Sequence, residues 1–321
     1  MRNEIAFGED IDKIITIDIP GRGVIHDLYK AARGDTTSLT MVAAKAIIDK
    51  TSQRDNVVIT TGFLIPPTMK PETDGPIGAL ILSKTLHSLF QVKTHFIAER
   101  EVLNLLEKLS KLKCLMLSDS IEVLPFTLNE KEATKDSLKL IDEINPSTII
   151  AIEKVGRNNK GIYHNMRGLD VSNKSIKIDY LFREAKKADI TTIGIGDGGN
   201  EIGMGNIYET VKRIVSFGSV CNCPCGSGIA TNTKTDFLIP SAVSNWGAYG
   251  LSACISYLTD NSFKAHNDEI ERRLLLEAVK IGAVDGVTGL NTHTVDGINV
   301  NIHLCIVNIL KNLVMNALKR S

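Results

Sequence analysis

ITTIGIGDGGNEIGMG, residues 190–205, decides the fold. Ile190, Thr191, Thr192, Ile193 and Ile195 are β-branched and suit a buried, pleated strand. Gly194, Gly196, Gly198 and Gly199 then free the backbone for positive φ or close approach to a ligand. Asp197, Asn200 and Glu201 follow within the same turn. In open parallel sheets, ligands bind where strands run out into such loops at the carboxyl edge. Asp197, Asn200 and Glu201 are therefore candidates for direct chemistry, with Gly198 and Gly199 as backbone contacts to a substrate.

Gly194, Gly196 and Gly199 also satisfy the G-x-G-x-x-G dinucleotide spacing, but the chemistry around them opposes that reading. A pyrophosphate needs unopposed N–H groups at a helix start, whereas Asp197 and Glu201 repel an anion. Gly203 and Gly205 further weaken the helix that should follow. No nicotinamide or flavin cofactor is expected.

Two earlier strands repeat the pattern. Residues 57–61 end at Gly62 and enter FLIPPTMKPETDGPIG, where Pro66, Pro67 and Pro71 stiffen a loop carrying Glu72, Thr73 and Asp74. Pro76 suits the first turn of a helix, and Asp74 or Thr73 its N-cap, which leaves Glu72 for other work. Residues 147–152 end at Glu153 and enter EKVGRNNKGIYHNMRG. There Arg157 and Arg167 match a carboxylate or phosphate, with His164 and Asn165 beside them. Lys154, Asn158, Asn159 and Lys160 read as solvated loop residues.

Helices are expected over 24–32, 39–48, 76–89, 100–109, 130–144, 208–215, 244–258, 266–281 and 302–318. Further strands are expected over 92–98, 114–117, 121–126 and 236–240. Strands alternating with helices argue a three-layer αβα fold with a mainly parallel sheet covered on both faces. No linker splits residues 1–321, so one domain with helical additions at both ends is expected. Gly62, Glu153 and Asp197 should share one sheet edge. Asp285 and Asp296, each before a glycine, complete the list of acids.

The 37 basic and 37 acidic residues balance, so no net field favours nucleic acid or an anionic membrane. No run approaches the roughly 20 apolar residues that span a bilayer, and no signal segment is evident at the start. Cysteines at 114, 221, 223, 225, 254 and 305 are too sparse for a disulfide scaffold, which fits a reducing cytoplasm. Cys221, Cys223 and Cys225 would point one way on an extended chain, as a soft-metal site needs. Without C-x-x-C spacing or a visible fourth ligand, they read as packing residues.

Taken together, TGFLIPP…PETDGPIGA from Thr61, AIEKVGRN…YHNMRG from Ala151, TIGIGDGGNEIGMG from Thr192, SNWGAYGL from Ser244 and GAVDGVTG…TVDG from Gly282 resemble the D-glutamate cyclase family. The CNCPCGSG loop lies outside that pattern. The resemblance implies conversion of D-glutamate to 5-oxo-D-proline and water by a lyase; a Mg/Mn-dependent phosphatase and a non-catalytic metabolite- or metal-binding protein are the alternatives. The expected partner is a small acidic substrate, with homo-oligomers left open.

Glu72, Asp74, Glu153, Asp197, Glu201, Asp285 and Asp296 cannot all ionise together without a cation. Oxygen ligands of this kind select Mg²⁺ or Mn²⁺, and a substrate ammonium is the other choice. Asp197 or Glu201 is the expected base, with Asn200 and Glu153 beside it. Thr73, Arg157, His164, Asn165, Arg167, Gly198 and Gly199 are expected to bind substrate.

Overall fold

A computed structural model describes residues 4–262 and 266–319. Helices α1 (Glu4–Ile15), α2 (Ile25–Arg33) and α3 (Leu39–Lys50) precede strand β1 (Asn56–Thr61) and the small hairpin β2 (Leu64–Ile65) and β3 (Lys70–Pro71). Then come α4 (Pro76–Phe90), β4 (Lys93–Ala98), α5 (Arg100–Ser110), β5 (Ile121–Pro125), α6 (Glu130–Ile144) and β6 (Thr148–Ile152). The chain continues through α7 (Asp179–Lys187), β7 (Thr191–Gly196), α8 (Tyr208–Ile214), β8 (Phe237–Pro240), α9 (Ser244–Leu258) and α10 (Asp268–Ile281). A second hairpin, β9 (Thr294–Val295) and β10 (Ile298–Asn299), leads into α11 (Val300–Leu318).

Six strands form one parallel sheet in the order β5-β4-β1-β6-β7-β8. Their side chains alternate between two cores, as a period of two demands. Val57, Ile59, Ile150 and Ile152 pack with α3, α4, α5 and α9 on one face. Val58, Ile149 and Ala151 pack with Ile144 of α6 and with Leu181 and Phe182 of α7 on the other. The architecture is thus three-layer α/β. The chain winds outward from β1 to β5, then returns to β6 on the opposite side of β1. That reversal opens a crevice at the carboxyl ends of β1 and β6, where such sheets bind ligands.

Register carries three loops to that crevice. Thr61 of β1 pairs with Ile152 of β6, which pairs with Ile195 of β7. Gly62, Glu153 and Asp197 therefore emerge at one edge, as the sequence predicts. α9 can lie close beneath it because Gly247 faces Ile195 and Ser241, where a Cβ would come within 2.7 Å of both.

Several sequence expectations need correction. Residues 114–117 form a turn: Leu115 and Leu117 are buried and Met116 is exposed, but no neighbouring strand pairs with them. α1 and α7 are helices that the sequence pattern does not announce. α11 is 19 residues long and contains an 18-residue window of mean hydropathy 1.3, but Asn301, His303, Asn308, Lys311, Asn312 and Asn316 interrupt its apolar residues, in keeping with the sequence reading. It packs on α9 and α10, burying Leu304, Ile306, Val307, Leu310 and Val314.

Candidate active site

The crevice widens into a cavity of about 610 Å³. Its floor is ionic: Glu72, Glu153, Asp197 and Asp296 with Arg22. Phe63, Leu64, Ile65, Pro66 and Pro67, from the loop after β1, build an apolar wall, and Asn165, Met166 and Arg167, from the loop after β6, build the facing one. The floor is set by strand ends and turns. Glu153 adopts φ +46° directly after β6, a conformation non-glycine residues rarely take. Asp296 adopts φ +55° in the β9–β10 turn, followed by Gly297 as such hairpins favour.

Arg22 is the cation of this floor. One guanidinium nitrogen lies 2.8 Å from Asp197 Oδ2 and the other 3.0 Å from Asp296 Oδ2. Asp18 fixes the arginine's backbone by accepting from the N–H groups of Arg22 (3.0 Å) and Gly23 (2.7 Å). Burial works against the Arg22 charge, but Asp197 and Asp296 hold the proton on it more firmly than in water.

One arginine does not neutralise so many acids. Burial pushes Asp197 up to about 7; Arg22 opposes the rise, and Glu201 and Asp74 add to it. Burial also lifts Glu72 well above the carboxylate range, helped by Asp296, Asp74 and Asp197. Glu153 rises for the same first reason and through Asp197 and Glu201. Carboxylate oxygens of Asp74, Asp197 and Asp296 lie within 4.8 Å of one another, as do those of Glu153, Asp197 and Glu201. Asp197 belongs to both groups. Ser244 Oγ donates to Glu153 Oε2 at 2.5 Å.

A sequence model of the D-glutamate cyclase-like, C-terminal family matches residues 11–311. The chain belongs to this family. D-glutamate cyclase, mitochondrial, of Homo sapiens is 34% identical over 257 residues, or 78% of this chain. The match spans 38% of the human protein's length.

Within this D-glutamate cyclase-like chain the predicted acids divide into two sets. Glu72, Glu153, Asp197 and Asp296 face the cavity, whereas others hold the backbone around it. Glu201 is fully buried and accepts from Gly198 N (2.7 Å) and Gly199 N (2.6 Å). Those amides are therefore engaged, not offered to substrate as expected. Asp74 accepts from Ser244 N (2.9 Å) and Asn245 N (2.8 Å) at the start of α9. Asp285 accepts from Val287, Thr288 and Gly297 amides and stands outside both oxygen groups; despite burial, those amides hold it below its usual range.

The predicted binding residues divide likewise. Asn165 and Arg167 line the cavity, and Arg167 donates to Val287 O at 3.3 Å across its mouth. Thr73 does not: its hydroxyl donates to Thr294 O. Arg157 points elsewhere, to Glu130 (3.1 Å) and the Tyr180 hydroxyl (3.0 Å) in a separate cavity. Asn200 uses its amide to reach His164 O at 2.7 Å. His164 lies among Cys221, Cys223 and Cys225 and does not line the cavity; the three cysteines also pack with the cluster around Val211 and Ile229, as the sequence reading expects. Lys154 and Asn158, expected in solvent, are buried; Lys154 pairs with Glu99, and Asn158 donates to Gly228 O.

Sequence reasoning missed Arg22, Ser244 and Asn245. Arg22 had a signal, since clustered carboxylates require a cation and PGRG supplies one. Ser244 and Asn245 carry none, because their roles depend on where α9 starts.

Proposed function

We propose that the chain is a lyase that cyclises D-glutamate to 5-oxo-D-proline with loss of water, in the cavity between the ends of β1 and β6. The activity for which the human relative is named supports the substrate. The observation that carries the reading is Asp197, a buried cavity carboxylate pushed up to about 7 with the partly buried Arg22 guanidinium 2.8 Å away. A group of that pKa exchanges protons readily at neutral pH.

The acidic floor draws the substrate ammonium, while Arg22 and Arg167 attract its two carboxylates. Asp197 takes a proton from the ammonium, and the freed amine attacks the γ-carboxyl carbon. A C–N bond forms and a C–O bond breaks. The two protons lost by nitrogen leave with that oxygen as water, so charge is unchanged. The apolar wall from Phe63 to Pro67 limits bulk water around the departing oxygen.

The oxygen-only donor groups around Asp197 fit a hard divalent ion such as Mg²⁺ or Mn²⁺, since their charge exceeds what Arg22 offsets. Asp74, Asp197 and Asp296, or Glu153, Asp197 and Glu201, would hold it, and when bound it would supply Lewis acidity toward the electrophilic carboxyl. A reducing cytoplasm is the proposed setting, supported by six cysteines without a disulfide.

The test follows D-glutamate and 5-oxo-D-proline by chiral chromatography for wild type and Asp197→Asn. The variant should lose roughly 10²–10⁴-fold in turnover, as for a removed general base. Phosphate release from monoesters without 5-oxoproline would replace the cyclase with a phosphatase. Ligand-induced stabilisation with neither product would leave a binding module.

A further inference from the structure

We propose that Cys221, Cys223, Cys225 and His164 form a structural zinc site that holds one wall of the acidic cavity in place. Their ligand atoms all lie within 4.8 Å of one another. Cys221 Sγ is 3.5 Å from Cys223 Sγ and 3.3 Å from Cys225 Sγ. His164 Nε2 is 3.2 Å from Cys223 Sγ and 3.6 Å from Cys225 Sγ. Zinc bonds of about 2.3 Å to sulfur and 2.0–2.1 Å to nitrogen, arranged tetrahedrally, imply edges of about 3.8 Å for S···S and 3.6 Å for S···N. Four of the six edges thus match those of a zinc tetrahedron to within about half an ångström, and the other two are no longer than 4.8 Å.

Neither a disulfide nor simple packing fits this grouping as well. A disulfide needs sulfurs about 2.05 Å apart, and all three thiols are free. Hydrophobic packing does not account for a fully buried imidazole whose Nδ1 has no hydrogen-bond partner and whose Nε2 faces sulfur. Three thiolates and a neutral histidine leave a zinc complex one negative charge. Lys160 Nζ, donating to Cys225 O at 2.8 Å, places a positive charge nearby. Four protein ligands close the coordination sphere, which marks a structural and not a catalytic ion.

The location gives the site its consequence. His164 belongs to the loop after β6 and the cysteines to the segment between α8 and β8, 57 or more positions away. A zinc ion would thus tie two segments whose apolar residues belong to separate clusters. Asn200 Nδ2 donates to His164 O at 2.7 Å, which links the knot to the glycine loop carrying Asp197. Asn165, Met166 and Arg167, directly after His164, are the cavity wall.

The full-length chain, expressed with zinc in the medium and purified without chelator, is assayed by elemental mass spectrometry. One zinc per chain is expected, and cobalt replacement should give a sulfur-to-cobalt charge-transfer band in the near ultraviolet. Cys223→Ser and His164→Ala should each weaken zinc retention at least about tenfold, while Glu72→Gln retains it. Wild type provides a check independent of variant folding: zinc should protect three thiols from alkylation, and chelation should expose them. Protein that neither carries nor takes up zinc, zinc lost in Glu72→Gln but kept in Cys223→Ser, or a disulfide among the three cysteines would overturn the assignment.

Discussion

Arg22 joins two carboxylates with two nitrogens of one rigid fork, a geometry an ammonium on a flexible stem does not reproduce. Arg22→Lys should therefore behave more like Arg22→Met than like wild type in turnover. Removing one partner of a buried ion pair costs about 3 kcal/mol or more. The Arg22 side chain is a quarter exposed, which puts Arg22→Met at the lower end. The loss should be largest near pH 8, where Asp197 is ionised, and shrink toward pH 5, where it takes up a proton. Urea unfolding at the two pH values reads this directly; an equal loss at both would show that Arg22 contributes packing alone. At this scale the sequence located the acids, because a carboxylate after a buried strand is visible in one dimension. It did not assign roles: Glu201 and Asp197 look alike in DGGNE, and only the fold of the loop turns one toward amides and the other toward the cavity.

Helices α4 and α9 start side by side under the sheet edge, and each is capped by the other's chain. Asp74, just before α4, accepts from two amides of α9, while Asn245 of α9 accepts through Oδ1 from Gly75 N (3.0 Å) and Gly78 N (2.7 Å) of α4. Asn245 Nδ2 also donates to Thr73 O at 3.1 Å. Sequence reading gives Asp74 to its own helix because capping rules are local, whereas the reciprocal arrangement depends on two helices meeting about 170 residues apart. Asn245→Ala should cost about 2 kcal/mol, the upper end for a lost cap, since the freed amides are buried. Asp74→Ala combined with Asn245→Ala should cost less than the two singles added, because each single already loosens the shared junction. A chemical-denaturation double-mutant cycle measures this; strict additivity would mean that the two caps act independently. The two helices hidden from the sequence pattern have an equally physical cause. α7 is nine residues with apolar positions at 180, 181, 182 and 185, too short for a helical period to show. α1 carries Gly8 in its interior, a residue that lowers any helix expectation yet packs directly on Ser38 and Met41.

Across the whole molecule, the switch between β1 and β6 gathers the acids of distant loops into one small volume, and stability must register that concentration. Burial raises Glu72, Asp74, Glu153 and Asp296 well above the carboxylate range and brings Asp197 to about 7. A carboxyl with a raised folded-state pKa keeps a proton that the unfolded chain releases. Between the unfolded value near 4 and the folded value, the native state therefore binds more protons, and stability falls as pH rises. Asp285 and Glu271, both lowered, act in the opposite sense below that window, and His95 and His303, which burial lowers, offset part of the decline up to about pH 6.5. The melting temperature of metal-free protein should thus decline from about pH 5 to pH 8, and Glu72→Gln, which removes one charge while keeping shape, should flatten the decline. Mg²⁺ or Mn²⁺ held by these oxygens binds the ionised native site and not the unfolded chain, so the ion should raise the melting temperature more at pH 8 than at pH 5. Thermal scans of wild type and Glu72→Gln at both pH values, with and without each ion, separate the two effects. A melting temperature that climbs through the window would refute the charge-repulsion account, whereas a decline that neither ion corrects at pH 8 would leave Arg22 and the substrate ammonium as the cations of the site.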